Sequence, residues 1–298
     1  MTAKNKLLER KTLFIINPIS GGKRKDGVPE LIGKHFNGQS TIIFTKGIAH
    51  ASEVAAETKG NYDMIVAVGG DGTVNEIASV LVGSNATLGV VPCGSGNGLS
   101  RFLAIPMDIE AAIKNLNNGK VACIDSATAN GKAFFNMAGM GFDAHISQVF
   151  AHGKTRGFIT YIKSSFKEVI NYKSHEYTIE IDGKTYKRTA FMLSFANSSQ
   201  FGNNAHVSPY ASVQDGLIDV CVIKPFPLWR FIEMGIRMFT KTAEGSKYVE
   251  IIRGKHIVVT RDSDGPLHLD GEPETAGERV EISVLPQSLK IIVGDSFK

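Results

Sequence analysis

The sequence predicts two domains, an α/β domain in residues 1–124 and mostly antiparallel β structure in residues 125–285. In the first part, short apolar runs alternate with glycine turns and helical patterns, as in a parallel sheet covered by helices. In the second part, many runs alternate apolar and polar residues with a period of two, which is typical of strands with one buried face. A length of 298 residues also exceeds that of most single domains.

The first domain contains four apolar runs that predict strands, and two helical patterns lie between them. The predicted strands are residues 12–17, 41–45, 63–68 and 87–91, and the predicted helices are residues 50–59 and 74–82. Glycine-rich turns follow the first, third and fourth of these strands. Because ligands collect at the carboxyl ends of strands in open parallel sheets, we expect the three turns to converge on one site.

The second domain contains five further predicted strands and two helical stretches. The strands are residues 122–128, 176–182, 189–196, 217–223 and 279–284, and the helices are residues 157–171 and 228–243. Asp182-Gly183 is a hairpin signal. A last apolar run, residues 289–293, has the composition of a parallel strand, so we expect a segment of about 286–298 to return to the first domain.

The composition is that of a globular protein, with 43% apolar and 21% charged residues. A net charge of +4 is too small to indicate nucleic acid, although clustered basic residues would suit phosphates or an anionic membrane. The three cysteines, Cys93, Cys123 and Cys221, are far apart and predict neither a disulfide framework nor a zinc site. No uninterrupted apolar run reaches the roughly 18 residues that a membrane-spanning helix needs. We therefore expect a cytoplasmic protein with peripheral contact at the inner membrane face.

The turn after the third strand, Gly69-Gly70-Asp71-Gly72-Thr73-Val74-Asn75, opens a helix. Backbone N–H groups and the positive end of a helix can hold phosphate oxygens in this setting, and glycines allow close approach. Asp71 would hold Mg²⁺ or orient other donors. The alternative is a tight strand-to-helix turn with an N-capping side chain.

The turns after the first and fourth strands have a similar composition. Asn17-Pro18-Ile19-Ser20-Gly21-Gly22-Lys23 brings an amide, a hydroxyl and a lysine within reach of phosphate, and Pro92-Cys93-Gly94-Ser95-Gly96-Asn97-Gly98 is a second glycine turn. Either could be an ordinary loop. Three such turns at one topological position favour a phosphate site.

Two acidic turns lie in the second domain. Asp270-Gly271-Glu272 could supply a general base for phosphoryl transfer, or it could be a hairpin tip with a solvated glutamate. Asp215-Gly216-Leu217 could be a hairpin, a metal site or both. Asp125 and Asp143 are isolated acids beside apolar residues, and we interpret both as structural.

The predicted helix at residues 228–243 holds the only tryptophan of the chain, among Phe, Ile, Met and basic residues. It could rest on an anionic bilayer or cover an acyl-chain pocket. The interpretation favoured by the sequence is a helix that faces the core of the second domain. Residues 157–162 allow the same alternatives.

Taken in order, these motifs resemble the diacylglycerol kinase catalytic-domain family, which includes bacterial lipid kinases and the sphingosine and ceramide kinases. The resemblance covers nearly the whole chain. It implies an α/β nucleotide domain like that of phosphofructokinases and NAD kinases, a β-sandwich domain, and an active site in the cleft.

The resemblance also implies roles for individual residues. Glu272 would accept the proton of the lipid hydroxyl, and Asp71 would act in handling Mg·ATP. A second Mg²⁺ would be bound by the Asp215 carboxylate and by the carbonyls of Ser212 and Leu217. The positions implied for ATP binding are Asn17, Pro18, Ile19, Ser20, Gly21, Thr45, Gly69, Gly70, Asp71, Gly72, Thr73, Val74, Asn75 and Ser95.

The sequence departs from the family pattern in two places. Many bacterial members have Gly-Thr-x-Asn-Asp-Phe where this chain has Gly94-Ser95-Gly96-Asn97-Gly98-Leu99, and the loop here is more similar to that of sphingosine kinases. Ser212 stands where a larger apolar residue can occur, which matters little if only its carbonyl binds.

Our hypothesis is therefore an ATP-dependent, Mg²⁺-dependent lipid kinase with Glu272 as general base. The acceptor could be diacylglycerol, a sphingoid base, ceramide or monoacylglycerol, and no nucleic-acid partner is expected. An NAD kinase and a noncatalytic lipid or nucleotide sensor are the alternatives. The sequence does not set the oligomeric state, and a homodimer is one option.

Overall fold

The computed structural model describes residues 10–22, 25–151 and 164–298. It divides into two compact units, of which unit 1 comprises residues 1–124 and 287–298 and unit 2 comprises residues 125–286. The helix predicted at residues 157–171 lies partly outside the described residues, and residues 164–168 are helical. None of the helices in the described part of the chain is long and apolar enough to cross a membrane.

Unit 1 is built on a parallel sheet with the strand order β2-β1-β3-β4. The apolar side chains of β1, β3 and β4 are almost wholly buried, whereas β2 lies at the edge and is partly exposed. The strands are β1 (Lys11–Ile16), β2 (Gln39–Phe44), β3 (Met64–Gly69) and β4 (Thr87–Pro92), and the helices are α1 (Val28–His35), α2 (His50–Thr58), α3 (Asp71–Leu81), α4 (Gly98–Phe102) and α5 (Ile109–Asn118).

Unit 2 contains two large antiparallel sheets, a separate two-stranded sheet, and two described helices of nine or ten residues, α6 (Phe142–Ala151) and α7 (Phe231–Phe239). The strands in chain order are β5 (Lys120–Ala129), β6 (Lys132–Phe134), β7 (Met137–Gly141), β8 (His175–Ile181), β9 (Lys184–Ala190), β10 (Met192–Ala196), β11 (Gln200–Gly202), β12 (Ala205–His206), β13 (Ile218–Ile223), β14 (Val249–Gly254), β15 (His256–Thr260), β16 (Gly265–Leu269), β17 (Glu272–Ala276) and β18 (Arg279–Val293).

One sheet of unit 2 has the order β14-β13-β10-β7-β16-β17, and the other contains β18-β15-β8-β9. Both sheets contribute to a single apolar core, which includes Phe195 and Val220 from the first sheet and Ile179 and Val259 from the second. Two sheets that share one core in this way form a β-sandwich. The predicted fold class, an α/β domain followed by a β-sandwich, is confirmed.

The structure differs from the predicted strands in two places. Residues 189–196 form two strands, because the chain passes from the second sheet (β9) to the first (β10) at Phe191. The predicted strands 279–284 and 289–293 are one strand, β18, and Ile291 near its end pairs in parallel with Leu88 of β4.

The two sheets of the sandwich are also joined by an ion pair between β9 and β14. Arg188 donates from Nε and Nη2 to the two carboxylate oxygens of Glu250, at 3.0 and 2.8 Å, and Lys224 lies 3.0 Å from Oε2. The hydrogen bonds from Arg188, and then the contact with Lys224, lower the pKa of Glu250 to about 2.

We expect Glu250→Gln to lower the free energy of unfolding by about 1 kcal/mol at pH 7, because the pair is partly exposed. A depressed pKa stabilises the folded state above the ordinary carboxyl pKa, and this contribution is lost as pH falls toward 2. The difference between wild type and variant should therefore shrink between pH 5 and pH 3 in urea unfolding. Glu57→Gln, on the exposed side of α2, is the control, and a constant difference would contradict the assignment.

Candidate active site

The three glycine turns of unit 1 contact one another at the carboxyl ends of β1, β3 and β4. A Cβ added to Gly21 would collide with the carbonyl of Cys93, and one added to Gly94 would lie 2.6 Å from the Cα of Gly70. Asn17 Nδ2 also donates to Thr73 Oγ1 at 3.1 Å. Side chains larger than hydrogen at Gly21 and Gly94 would push the turns apart, so the glycines are required for this close approach.

Asp71 fixes the position of the third turn. Its Oδ2 accepts the N–H of Asn97 at 2.8 Å, and its Oδ1 accepts the N–H of Gly98 at 2.9 Å. Asn97 has a left-handed backbone, with φ of 52°, and its side chain bonds both the N–H and the carbonyl of Gly94. The loop is therefore closed by Asn97 and tied to the start of α3 by Asp71.

The first turn of α3 faces these loops without a side-chain cap, because its N-cap residue is Gly70. The N–H groups of a first helical turn have no partner within the helix, and the helix dipole makes this end positive. Thr73, which is buried, receives the bond from Asn17 through its hydroxyl. Backbone donors and a positive helix end thus lie where the three turns meet.

The other residues implied for ATP binding lie around this junction in different ways. Ile19 is exposed on the first turn, where its N–H donates to Asn17 Oδ1 at 3.2 Å, whereas Thr45 and Val74 are buried. The backbone N–H groups of Thr45 and Val74 already donate to Ile16 and Gly70. These two residues can therefore form walls of the site, and their backbone N–H groups are not available to it. Lys23 lies outside the described residues.

We expect Asp71→Asn to loosen the third turn, because one charged acceptor of two backbone N–H groups becomes a neutral amide with its own donors. Hydrogen exchange of the Asn97 and Gly98 amides should become faster by about tenfold or more, equivalent to about 1.4 kcal/mol. Asp108→Asn is the matched control, since Asp108 caps α5 and Asn caps a helix equally well. Unchanged protection in Asp71→Asn would refute the role of Asp71 as a loop clamp.

In unit 2, Asp270 and Gly271 form the tight turn between β16 and β17, with φ values of 51° and 89°. The Asp270 carboxylate accepts the backbone N–H groups of Phe135, Asn136 and Met137 at 2.8 to 3.0 Å. Glu272, the first residue of β17, is exposed. The turn is thus a fixed hairpin tip that carries an exposed glutamate, as one of the two sequence interpretations expects.

A buried polar network lies directly below this turn. His268 Nε2 is 3.2 Å from Asp143 Oδ2, which also accepts the hydroxyl of Ser194 at 2.9 Å. His268 Nδ1 accepts the N–H of Gly271 at 3.4 Å, so the ring proton is on Nε2 and is donated to Asp143. Asp143 is structural, as predicted, but the role of His268 was not predicted, since its partner is 125 residues away in the sequence.

The third predicted group, Ser212, Asp215 and Leu217, lies on one turn before β13. Asp215 Oδ1 accepts the N–H of Leu217 at 3.1 Å, and Asp125 Oδ2 accepts the N–H of Gly216 at 2.8 Å. Burial, followed by the charges of Asp219 and Asp125, raises the pKa of Asp215. Asp219 is itself paired with Arg253 at 2.9 Å, so a cation also lies near this turn.

Oxygen donors of this kind suit Mg²⁺, which prefers carboxylate, carbonyl and water ligands. Among the described residues, no group of three or more His, Cys, Asp or Glu side chains is placed to bind a metal. A Mg²⁺ at the Asp215 turn, as the resemblance implies, would depend on the Asp215 carboxylate and on the carbonyls of Ser212 and Leu217.

We expect Asp270→Ala to lower the free energy of unfolding by about 2 to 4 kcal/mol, because three backbone N–H groups lose a charged acceptor. Asp270→Asn should cost less, since asparagine tolerates the left-handed backbone and keeps one acceptor oxygen. Chemical unfolding would measure both values. Asp262→Ala, in the exposed loop before β16, is the control, and equal effects at the two positions would contradict the role of Asp270.

The chain matches two family models that together span most of its length. Residues 11–129 match the diacylglycerol kinase catalytic domain, and residues 136–293 match the YegS C-terminal NAD kinase beta sandwich-like domain. The chain belongs to the family of diacylglycerol and YegS-like lipid kinases. The family predicted from the motifs is confirmed.

Relatives of the chain include a diacylglycerol kinase of Bacillus subtilis (strain 168), which is 29% identical over 75% of each chain. A probable YegS-like lipid kinase of Klebsiella pneumoniae (strain 342) is 27% identical over 77% of each chain. Among solved structures, a candidate diacylglycerol kinase from Bacillus anthracis str. Sterne superposes with a TM-score of 0.81 at 26% identity, covering 96% of this chain and 98% of that one.

Proposed function

We propose that the protein transfers the γ-phosphoryl group of ATP to the hydroxyl of a membrane lipid. The observation that carries this proposal is the junction of three glycine turns in unit 1, where Asp71 holds the third turn beside the uncapped start of α3. Membership of a lipid kinase family supports the lipid as acceptor.

The glycine turns would bind the phosphates of ATP mainly through backbone N–H groups. Gly70, Gly72 and Thr73 lie at or beside the start of α3, where such donors and the helix dipole act together. Gly94 and Ser95 belong to the turn that Asn97 closes. Because phosphoryl transfer requires little covalent participation by the protein, holding the phosphates rigidly is the main task of this unit.

Glu272 is the general base in this proposal. Asp270 on the same turn already accepts three backbone N–H groups, so its carboxylate has a structural task. Glu272 is exposed and lies on a hairpin that Asp270 and His268 hold in place. Its carboxylate would take the hydroxyl proton as the lipid oxygen attacks the γ-phosphorus and the bond to the β-phosphate oxygen breaks.

The carboxylates of Asp71 and Asp215 are the proposed groups for Mg²⁺, with the carbonyls of Ser212 and Leu217 beside Asp215. Bound Mg²⁺ supplies positive charge that offsets the charge of the phosphates. Asp71 lies between the start of α3 and the third turn, where the hydrogen bonds from Asn97 and Gly98 fix the direction of its carboxylate. Diacylglycerol is the first acceptor to test, because the relative from Bacillus subtilis is named a diacylglycerol kinase.

We expect Glu272→Gln to reduce transfer by at least about a hundredfold while ATP binding survives, since only the proton acceptor is removed. The measurement is incorporation of radiolabelled phosphate from ATP into a total lipid extract, with identification of the labelled lipid, alongside equilibrium binding of ATP. Glu274→Gln, two residues along β17 and ion-paired with Lys132, is the matched control.

Full turnover in Glu272→Gln would refute the assigned role of this residue. Labelling of NAD, with no labelled lipid, would instead favour an NAD kinase. ATP binding without any labelled product would favour a noncatalytic sensor.

A further inference from the structure

Helix α7 is apolar on two sides, and only one of them is covered. Met234 is 4% exposed, and Phe231 and Met238 pack against the same apolar cluster. The other side carries Ile232, Ile236 and Phe239, which are 60%, 57% and 46% exposed. The interpretation favoured by the sequence, a core-facing helix, therefore accounts for one side only.

The exposed side continues into the turn that precedes the helix. Leu228 is 51% exposed and Trp229 is 71% exposed. We call this surface the apolar ridge, and its members are Leu228, Trp229, Ile232, Ile236 and Phe239. Phe166, whose ring lies 5.2 Å from that of Phe231, is also 45% exposed and widens it. Soluble proteins rarely leave contiguous apolar surface of this kind exposed unless it binds something.

A row of charged side chains runs beside the ridge. Glu233 is hydrogen-bonded to Arg237 at 2.9 Å and also to Arg230, whose guanidinium lies 4.4 Å from the ring of Trp229. Lys241 and Lys247 follow, both exposed. Residues 228–248 contain four basic and two acidic side chains, so this segment carries a net charge of +2.

We propose that the apolar ridge inserts into the interface of an anionic bilayer, with its basic residues against the lipid headgroups. Aromatic and aliphatic side chains beside arginine and lysine are the composition of interfacial helices. A second copy of this chain fits the surface less well, since two segments of net positive charge would be brought together. The inference rests on the proposed function, because it gives the way in which a protein with a membrane-lipid acceptor reaches its bilayer.

The test is co-sedimentation of the full chain with vesicles of phosphatidylcholine alone or with 40% phosphatidylglycerol, in the absence of nucleotide. We expect binding to the anionic vesicles that weakens when salt rises from 50 to 500 mM. Ile232→Ser with Ile236→Ser should reduce the bound-to-free ratio at least tenfold, and Lys241→Glu with Lys247→Glu should remove the preference for anionic vesicles. Ile48→Ser with Val121→Ser replaces exposed apolar residues elsewhere and should bind like wild type.

The ridge variant should also lose transfer to a long-chain acceptor in vesicles while it keeps transfer to a short-chain acceptor in detergent micelles. Equal vesicle binding by wild type and ridge variant, or no binding by wild type, would overturn the inference. A wild-type dimer that the ridge variant converts to monomer, with vesicle binding unchanged, would assign the ridge to a second copy instead and overturn it too. Because vesicle binding needs no turnover, its outcome is independent of the test of Glu272.

Discussion

The arrangement of unit 1 depends on the carboxylate of Asp71, which accepts two consecutive backbone N–H groups of a loop that begins 21 residues later in the sequence at Pro92. Asp71 fixes the left-handed turn at Asn97 against the start of α3, and the N–H of Cys93 also donates to the carbonyl of Gly69 at 2.7 Å. The glycines on either side can approach closely only because the loop is held there. Asp71 thus ties the third turn to the second, and the hydrogen bond from Asn17 to Thr73 ties the first turn to the same helix.

Unit 2 uses carboxylates in the same manner. Asp125, Asp182 and Asp270 each accept backbone N–H groups from segments distant in sequence, and Asp143 anchors His268 below the hairpin tip. Hydrogen bonds to ionised acceptors are among the stronger ones, so these four aspartates stabilise loops that lack an apolar core of their own. Glu272 differs from them because it is exposed at the end of such a stabilised loop, and reactive groups are commonly carried by loops on a rigid framework.

The sequence was sufficient to predict the parallel sheet, since its four strands are short apolar runs and three of them end in a glycine turn. The passage of the chain from one sheet to the other at Phe191 could not be predicted. Residues 189–196 are apolar enough to form a single strand, and only the packing of the two sheets divides them. The His268 network was missed because its partners lie in separate strands and helices. For α7 the sequence left a core-facing helix and a helix on a bilayer both open, because its apolar pattern does not tell which residues pack against the sandwich.

The last part of strand β18 belongs to unit 1, but the ribosome makes it only after the whole sandwich segment. Leu289, Ile291, Ile292 and Val293 are all buried in unit 1, and Ile291 pairs with β4. During synthesis, more than 160 residues of the sandwich are therefore made before the strand that pairs with β4 is available. Until then the β4 edge is open to pairing with other chains, so a ribosome-bound chaperone, or rapid folding of the sandwich, would protect newly made protein from aggregation.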